Sequence, residues 1–527
     1  QKVGNRRLKS GQPPYALELW PSSDCNIYSI IIIYVSVFIA PDFSSVETVK
    51  EIEMQSEGNE ITTNFISDFA PAEVVTHVDE NLGNSSYPEP GLKAWVQKTL
   101  WHGGSNYDAW CNSAASQVGQ VILTMPYSYS QMGFALGIFF HLLYTVVGIW
   151  TCYMLSCLYL EYRARKEKEG VNFKKHIIQY HEVMGYLVAP WLKGVCLFFN
   201  IVTLGAVAGV QIIACASNAY YLNSNYNKRE WAIIFGAICM LNVLLPSFHN
   251  FRIWCIIGVL TTTYTAWYMV VAGLLHGQIA NVKHSAPVSM QLFFTGTTNI
   301  LFAFGGHANT IEIMHSMWTP KSYKYVYLTT MGYVMTITMP HCVILYWAFG
   351  DELLTHSNAF SVLPASTFRS MGLGLMIAHQ AIAFGLFVMP LNYMWEKLLR
   401  VHQSHYLVRV VARLPVGILL WFLALMFPFF GPLNSIIGSF IMSFSVCIIP
   451  CASYLFVFRT KTARQDAVEK GGKWMPKWKG ILTINLVIVI LVGVLGFGFG
   501  SWASLSNLVK QVNSFGIFDK CYQCSHK

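Results

Sequence analysis

Two stretches place polar groups where an otherwise apolar chain should hold none. The first is Ser116-Gln117-Val118-Gly119-Gln120-Val121-Ile122-Leu123-Thr124-Met125-Pro126-Tyr127, two amides and a Gly just ahead of a Pro. The second is Phe302-Ala303-Phe304-Gly305-Gly306-His307-Ala308-Asn309-Thr310-Ile311-Glu312, a Gly pair followed by an imidazole and a carboxylate. Pro is at home in the first turn of a helix, so a half-helix is expected to start around Leu123 to Pro126. Broken backbone leaves N–H groups free, and at a half-helix N-terminus such groups hold an anion.

His307 is the first candidate for chemistry, because an imidazole switches charge most easily near neutral pH. It could bind a carboxylate when charged and pass its proton on; the competing role is a neutral ring bonded to a backbone carbonyl. Glu312 is the second proton-coupling candidate, since an intramembrane carboxylate is functional by default, with a helix-to-helix partner as the alternative. Gln117 and Gln120 share a helical face and can donate to a carboxylate or accept from a ring N–H, unless they only bond neighbouring helices. Ser116, Val121, Gly305 and Gly306 complete the substrate-binding set at the breaks. Gln211, His379 and Gln380 are polar residues in apolar surroundings, for which a site role and a packing role weigh evenly. His341 follows Pro340 and is expected to satisfy a freed carbonyl, and Gly496, Gly498 and Gly500 to serve packing rather than a nucleotide loop.

These residues need a membrane scaffold. The chain has 527 residues, 54% hydrophobic and 12% charged, with mean hydropathy +0.43. No soluble fold could bury that much apolar surface. The formal charge of +9 suggests no nucleic-acid partner, because the cations fall in short loops between apolar runs. Thirteen cysteines, mostly single in apolar segments, imply neither a disulfide framework nor a zinc site. Cys521 and Cys524, with His526, are only a weak sign of metal, and no metal or cofactor is expected. HExxH, GxSxG and GxxxxGK[ST] motifs are absent from the sequence, so an enzyme role has no support.

Eleven apolar segments are long enough to cross a hydrocarbon core of about 30 Å at about 1.5 Å per residue. They cover 110–132, 134–160, 190–218, 230–247, 253–276, 291–316, 323–349, 369–395, 409–429, 434–457 and 480–506. One set of alternating loops carries Arg163, Arg165, Lys166, Lys168, Lys174, Lys175, Lys321, Lys324, Lys397, Arg400, Arg459, Lys461, Arg464, Lys470, Lys473, Lys477 and Lys479. The other carries only Lys228, Arg229 and Lys283, with Lys510, Lys520 and Lys527 in the tail. By the positive-inside rule the N-terminus is cytosolic and the C-terminus extracellular. Segments one and six, both broken, hold matching places in two five-segment halves. That pairing points to an all-α, LeuT-type 5+5 inverted repeat with its site at the midplane, and segment eleven appended.

The domain reading follows. Met54 is the first methionine, and residues 1–53 are expected to be a non-native or disordered extension. Residues 54–100 read as a disordered cytosolic tail whose Asn84 sequon goes unused. Residues 101–507 form the eleven-helix transporter domain and 508–527 an extracellular tail.

Several motifs resemble the plant auxin influx carriers of the amino acid/auxin permease superfamily. They include Trp101-His102-Gly103-Gly104-Ser105, Tyr107-Asp108-Ala109-Trp110, Leu123 to Ser128, Glu161 to Glu169, Gln211 to Tyr221 and Pro246 to Asn250. Thr261 to Tyr268, Phe304 to Glu312, Tyr346 to Asp351, Pro428 to Pro432 and Lys520 to Cys524 continue the likeness over about four fifths of the chain. The resemblance implies proton-coupled import of auxin, indole-3-acetate, across the plasma membrane by alternating access; a proton-coupled amino acid permease is the alternative. Ser116 and Gly119 depart from the Asn and Ala usual in that family, and His141 and His341 have no counterpart in it.

Overall fold

A computed structural model of the protein describes residues 104–527 except 174–175, 245–250, 286, 471–475 and 525–527. Residues 1–53, the tail 54–100, Trp101 to Gly103 of the opening motif, Lys174, Lys175, Lys473, the Pro246 to Asn250 motif, His526 and Lys527 lie outside the described residues. Among the described residues the helices are α1 (Asn106–Val118), α2 (Met125–Met132), α3 (Phe134–Lys168), α4 (Tyr180–Leu187), α5 (Pro190–Leu222) and α6 (Lys228–Met240). They continue with α7 (Phe251–His276), α8 (Met290–Ala303), α9 (Thr310–Ser316), α10 (Tyr323–Phe349), α11 (Thr367–Leu398) and α12 (Tyr406–Met426). The last three are α13 (Phe430–Val457), α14 (Lys461–Gln465) and α15 (Trp478–Phe515).

Among the described residues, eight helices are long and apolar enough to cross a membrane uninterrupted. The other spans are α1 with α2, the short α6, and α8 with α9. Both expected breaks are therefore present. α1 begins with a capping box, Asp108 N–H donating to Ser105 Oγ at 3.3 Å and Ser105 N–H to Asp108 Oδ2 at 3.0 Å. It ends at Gly119, and α2 restarts with Pro126 in its first turn. α8 stops at Ala303, ahead of the Gly305-Gly306 pair, and α9 resumes at Thr310.

α15 runs past residue 506 to Phe515. Hydropathy falls there, but Ala503, Ser504 and Asn507 turn inward while Trp502, Leu505 and Val509 face out, so an amphipathic helix continues where an apolar one ends. The segment after it folds back: Phe518 N–H donates to the Met426 carbonyl at 3.2 Å and Lys228 Nζ to the Tyr522 carbonyl at 2.6 Å. Cys521 and Cys524 are joined as a disulfide, which the composition did not suggest; their Cα atoms stand 5.6 Å apart, a span the bridge accepts.

The alternating loops meet on opposite faces. Lys324 reaches Glu469 at 2.6 Å and Lys397 approaches Glu182 at 3.7 Å on the basic face. Ser285 N–H donates to Asp351 Oδ1 at 3.0 Å and Ser357 Oγ to Gln523 Oε1 at 2.6 Å on the other.

Small residues let α8, α13 and α15 touch. A Cβ on Gly438 would stand 2.1 Å from the Thr298 carbonyl oxygen, one on Gly496 2.5 Å from Ser443 Oγ and one on Gly500 2.3 Å from Thr298 Cγ2. Gly496 and Gly500 thus pack helices together, whereas Gly498 is exposed and a Cβ there would meet only the Gly493 carbonyl of its own helix. Gly438→Ala must push backbone from backbone, an overpacking cost of about 1–3 kcal/mol. Thermal unfolding in detergent is expected to shift down by several degrees, and an unchanged midpoint would contradict this packing.

Candidate functional site

Breaking two helices in mid-membrane orphans backbone carbonyls that no water can satisfy. An amide crosses from each span to the other, and the one from the first span satisfies the carbonyl left free in the sixth; the Thr124 carbonyl in the first break already accepts from Ser128 N–H at 3.2 Å. Gln117, on α1, donates through Nε2 to the Ala303 carbonyl at the end of α8, at 2.8 Å. Asn299, on α8, donates through Nδ2 to the Thr124 carbonyl in the first break at 3.2 Å. Gln120 and Asn434 exchange amide bonds of 3.0 and 3.4 Å, and Asn434 also donates to Thr124 Oγ1 at 3.3 Å, tying the first break to α13.

Between the breaks lies a cavity of about 20 Å³ lined by Ser116, Gln117, Gly119, Gln120, Val121, Thr203, Val207, Gln211, Phe302, Gly305, Gly306, Ala308, Phe387 and Met442. That is room for about one water, far below the several hundred Å³ of a small-molecule pocket. The cavity brings together Ser116, Gln117, Gln120, Val121, Gln211, Gly305 and Gly306 from the sequence-based set. Gln211 is 1% exposed, and its Oε1 has no hydrogen-bond partner among the described residues. Gly306 is required, because a Cβ there would meet Gln117 Oε1 at 2.3 Å and Gln117 Cα at 2.8 Å.

The remaining candidates sit around this cavity rather than on it. His307 turns away from the Gly pair: Nε2 lies 2.9 Å from Thr151 Oγ1 and 3.3 Å from the Val446 carbonyl, and Nδ1 lies 3.2 Å from the Tyr327 hydroxyl. The carbonyl-bonded arrangement weighed against a site role is therefore the one adopted here. Tyr327 links back, since its hydroxyl donates to Gln117 Oε1 at 3.5 Å. Glu312 is half-buried on α9, with Oε2 lacking a partner among the described residues. His379 is wedged behind the first break; a Cβ on Gly119 would stand 3.6 Å from its Nε2 and one on Gly258 2.9 Å from its Nδ1. Gln380 accepts at Oε1 from Asn218 Nδ2 at 3.1 Å. His141 contacts the Tyr129 hydroxyl at 3.1 Å and Thr338 Oγ1 at 3.0 Å, within the core. His341 is buried, with Nε2 unbonded among the described residues, so it does not satisfy the carbonyl expected of it through that nitrogen.

Sequence reasoning missed Thr203, Val207, Phe302, Ala308, Phe387 and Met442. Thr203 and Val207 were findable, for they precede Gln211 at four-residue steps and share its helical face. Asn299 and Asn434 also carried a signal, as amides in apolar runs.

A family model described as "Transmembrane amino acid transporter protein" matches residues 102–506. Auxin transporter-like protein 5 of Medicago truncatula is 52% identical over 438 residues, 83% of this chain and 89% of that protein. Auxin transporter protein 1 of Arabidopsis thaliana is 51% identical over 426 residues, 81% and 88% of the two chains. The chain belongs to the auxin transporter-like proteins of the transmembrane amino acid transporter family. The resemblance read from the sequence is borne out. Among solved structures, MhsT in complex with L-phenylalanine matches at a TM-score of 0.55 and 12% identity, covering 75% of this chain and 99% of that one. An Eremococcus coleocola manganese transporter, solved with an aromatic bis-isothiourea substituted compound, matches at 0.53 and 12%, covering 83% and 91%. At this identity the likeness concerns the fold alone, which is the LeuT-type 5+5 arrangement with broken helices one and six and an added eleventh. This auxin transporter-like protein is a multi-pass membrane transporter, not an enzyme.

Gly306→Ala is expected to abolish transport at normal surface expression, because its Cβ collides with Gln117 at the junction of the breaks. Transport within twofold of the parent, measured as uptake per surface molecule, would contradict this.

Proposed function

We propose that the protein imports indole-3-acetate with protons across the plasma membrane, the N-terminus cytosolic, by opening the midplane cavity alternately to either face. The observation that carries the reading is the composition of that cavity. Gln117, Gln120 and Gln211 offer amides, while Val207, Phe302, Phe387 and Met442 offer apolar surface. Amide donors suit a carboxylate, an amide oxygen suits an indole N–H, and flat apolar walls suit the ring. The lining includes no Asp or Glu to pair with an ammonium group, which favours a plain acid over an amino acid. The names of the relatives support the same cargo. The cavity must expand to admit it, and expansion separates the amides that now bond each other.

Proton coupling is assigned to His307 and Glu312. His307 reaches the cavity through Tyr327 and Gln117: with Nε2–H on the Val446 carbonyl, a second proton makes Nδ1 a donor to the Tyr327 oxygen and commits the tyrosine's own proton to Gln117 Oε1. Energetics give the reason for protons. An anion entering a negative interior loses about 2.3 kcal/mol per 100 mV. With two protons the complex carries one positive charge and gains as much. Each proton adds about 1.4 kcal/mol per unit of pH gradient.

Cells expressing the chain are expected to take up labelled indole-3-acetate saturably, faster at acidic than at neutral external pH, and indifferently to excess neutral amino acids. Competition by those amino acids would favour the permease alternative. The coupled current should carry about one positive charge per substrate for two protons; a ratio near zero would rule that out. His307→Ala should flatten the acid stimulation, and an unaltered pH profile would remove His307 from the proton path.

A further inference from the structure

A second cavity, of about 620 Å³, opens on the basic face between the ends of α3, α4, α5 and α11. It is the size of a pocket that holds a small organic molecule. Four cations, Lys166, Lys193, Lys397 and Arg400, line it against one carboxylate, Glu182. Lys166 is engaged by Glu169 at 2.7 Å. Lys397 is held loosely, with Nζ at 3.3 Å from the Ile177 carbonyl, 3.4 Å from Gln179 Oε1 and 3.7 Å from Glu182 Oε1. Burial raises the Glu182 carboxyl, but a hydrogen bond from His176 and the charge of Lys397 outweigh it and hold the group down to about 2. Glu182 is therefore ionised at neutral pH, yet one carboxylate leaves the wall cationic.

His181 adds a directed group. It lines the cavity, is 4% exposed, and its Nδ1 has no hydrogen-bond partner among the described residues. Burial pushes its ring down to about 4, so it is neutral and one nitrogen carries a proton that an oxyanion can accept.

The two cavities share a helix. Ile201 lines it and Thr203 lines the cavity at the breaks, only about 3 Å further along α5. Glu312, on α9, lies within electrostatic reach of both Glu182 and Lys397. A cationic chamber packed on the same helix as the cavity at the breaks would draw an anion toward its own face as the packing between them opens.

We propose that this chamber is a second binding site, an oxyanion vestibule that holds the carboxylate of the cargo between the midplane and the compartment beyond the basic face. It rests on the reading that the cargo is a carboxylic acid. A phosphate shares the chemistry, so the test separates the two sources.

The full chain would be reconstituted in liposomes and KM for indole-3-acetate measured from each face, for the parent, K193Q and K397Q. Two variants guard against one failing to fold, and each is compared at the parent's melting temperature. The KM from the basic face is expected to rise about fivefold relative to that from the opposite face, the size of one solvent-screened charge contact. The rise should vanish at high salt. An unchanged ratio of the two constants in both variants, with the parent transporting normally, overturns the vestibule alone. No indole-3-acetate transport by the parent overturns the proposed function itself. Inorganic phosphate on the basic face that binds the parent but not K397Q, without altering either KM, assigns the chamber to phosphate and overturns the carboxylate.

Discussion

The structure depends on repairing two helix breaks in a medium without water. An unpaired carbonyl costs several kcal/mol there, so a broken span survives only where something else bonds the freed group. Here amides cross between the two spans in both directions. Gln117 of the first span caps Ala303 of the sixth, and Asn299 of the sixth adds a bond to the Thr124 carbonyl of the first, which already accepts from Ser128 N–H. The sixth-span break is completed by a donor from the first, which holds the two spans together at the midplane. The glycines follow from this pairing, since Gly306 is where Gln117 crosses and any side chain would collide.

Gln117 also faces the cavity between the breaks, together with Gln120, which bonds Asn434. Stability and recognition therefore draw on one set of donors, and a ligand that takes Gln117 or Gln120 competes with the bonds that hold the closed form together. This is the physical content of alternating access as proposed for this chain: a closed state satisfied internally and an open one satisfied by cargo. Rigid surroundings make the exchange discrete. α8 meets the backbone of α13 at Gly438, and side chains of α8 and α13 press on α15 at Gly500, leaving little freedom for gradual deformation. His307, bonded to α3, α10 and α13 at once, sits where a change of protonation alters several helix contacts together.

Much of this was legible before any coordinates. The breaks announced themselves because Gly, Gln, His and Pro are conspicuous in apolar text. Residues such as Phe387 and Met442 were invisible because an apolar residue in an apolar segment looks the same whether it meets a ligand, a neighbour or lipid. His307 marks the limit more sharply. Its type and place were plain, but its direction was not, because the turn at Gly306 to Asn309 decides where the imidazole points. The extension of α15 was hidden for a related reason, as polar residues in its last turns are stabilised by partners far away in sequence.

The sequence alone determined the eleven membrane segments, the two interrupted ones and the alternation of basic and neutral loops. Each follows from local composition acting against a fixed solvent, the hydrocarbon core, whose thickness and lack of hydrogen bonds apply to every residue in turn. Tertiary structure decided which amide repairs which carbonyl, how little room remains between the breaks, and that four cations around one carboxylate enclose a chamber beneath them. Those outcomes depend on contacts between residues hundreds of positions apart, and a side chain's partner is fixed by the packing of whole helices rather than by its neighbours in the chain.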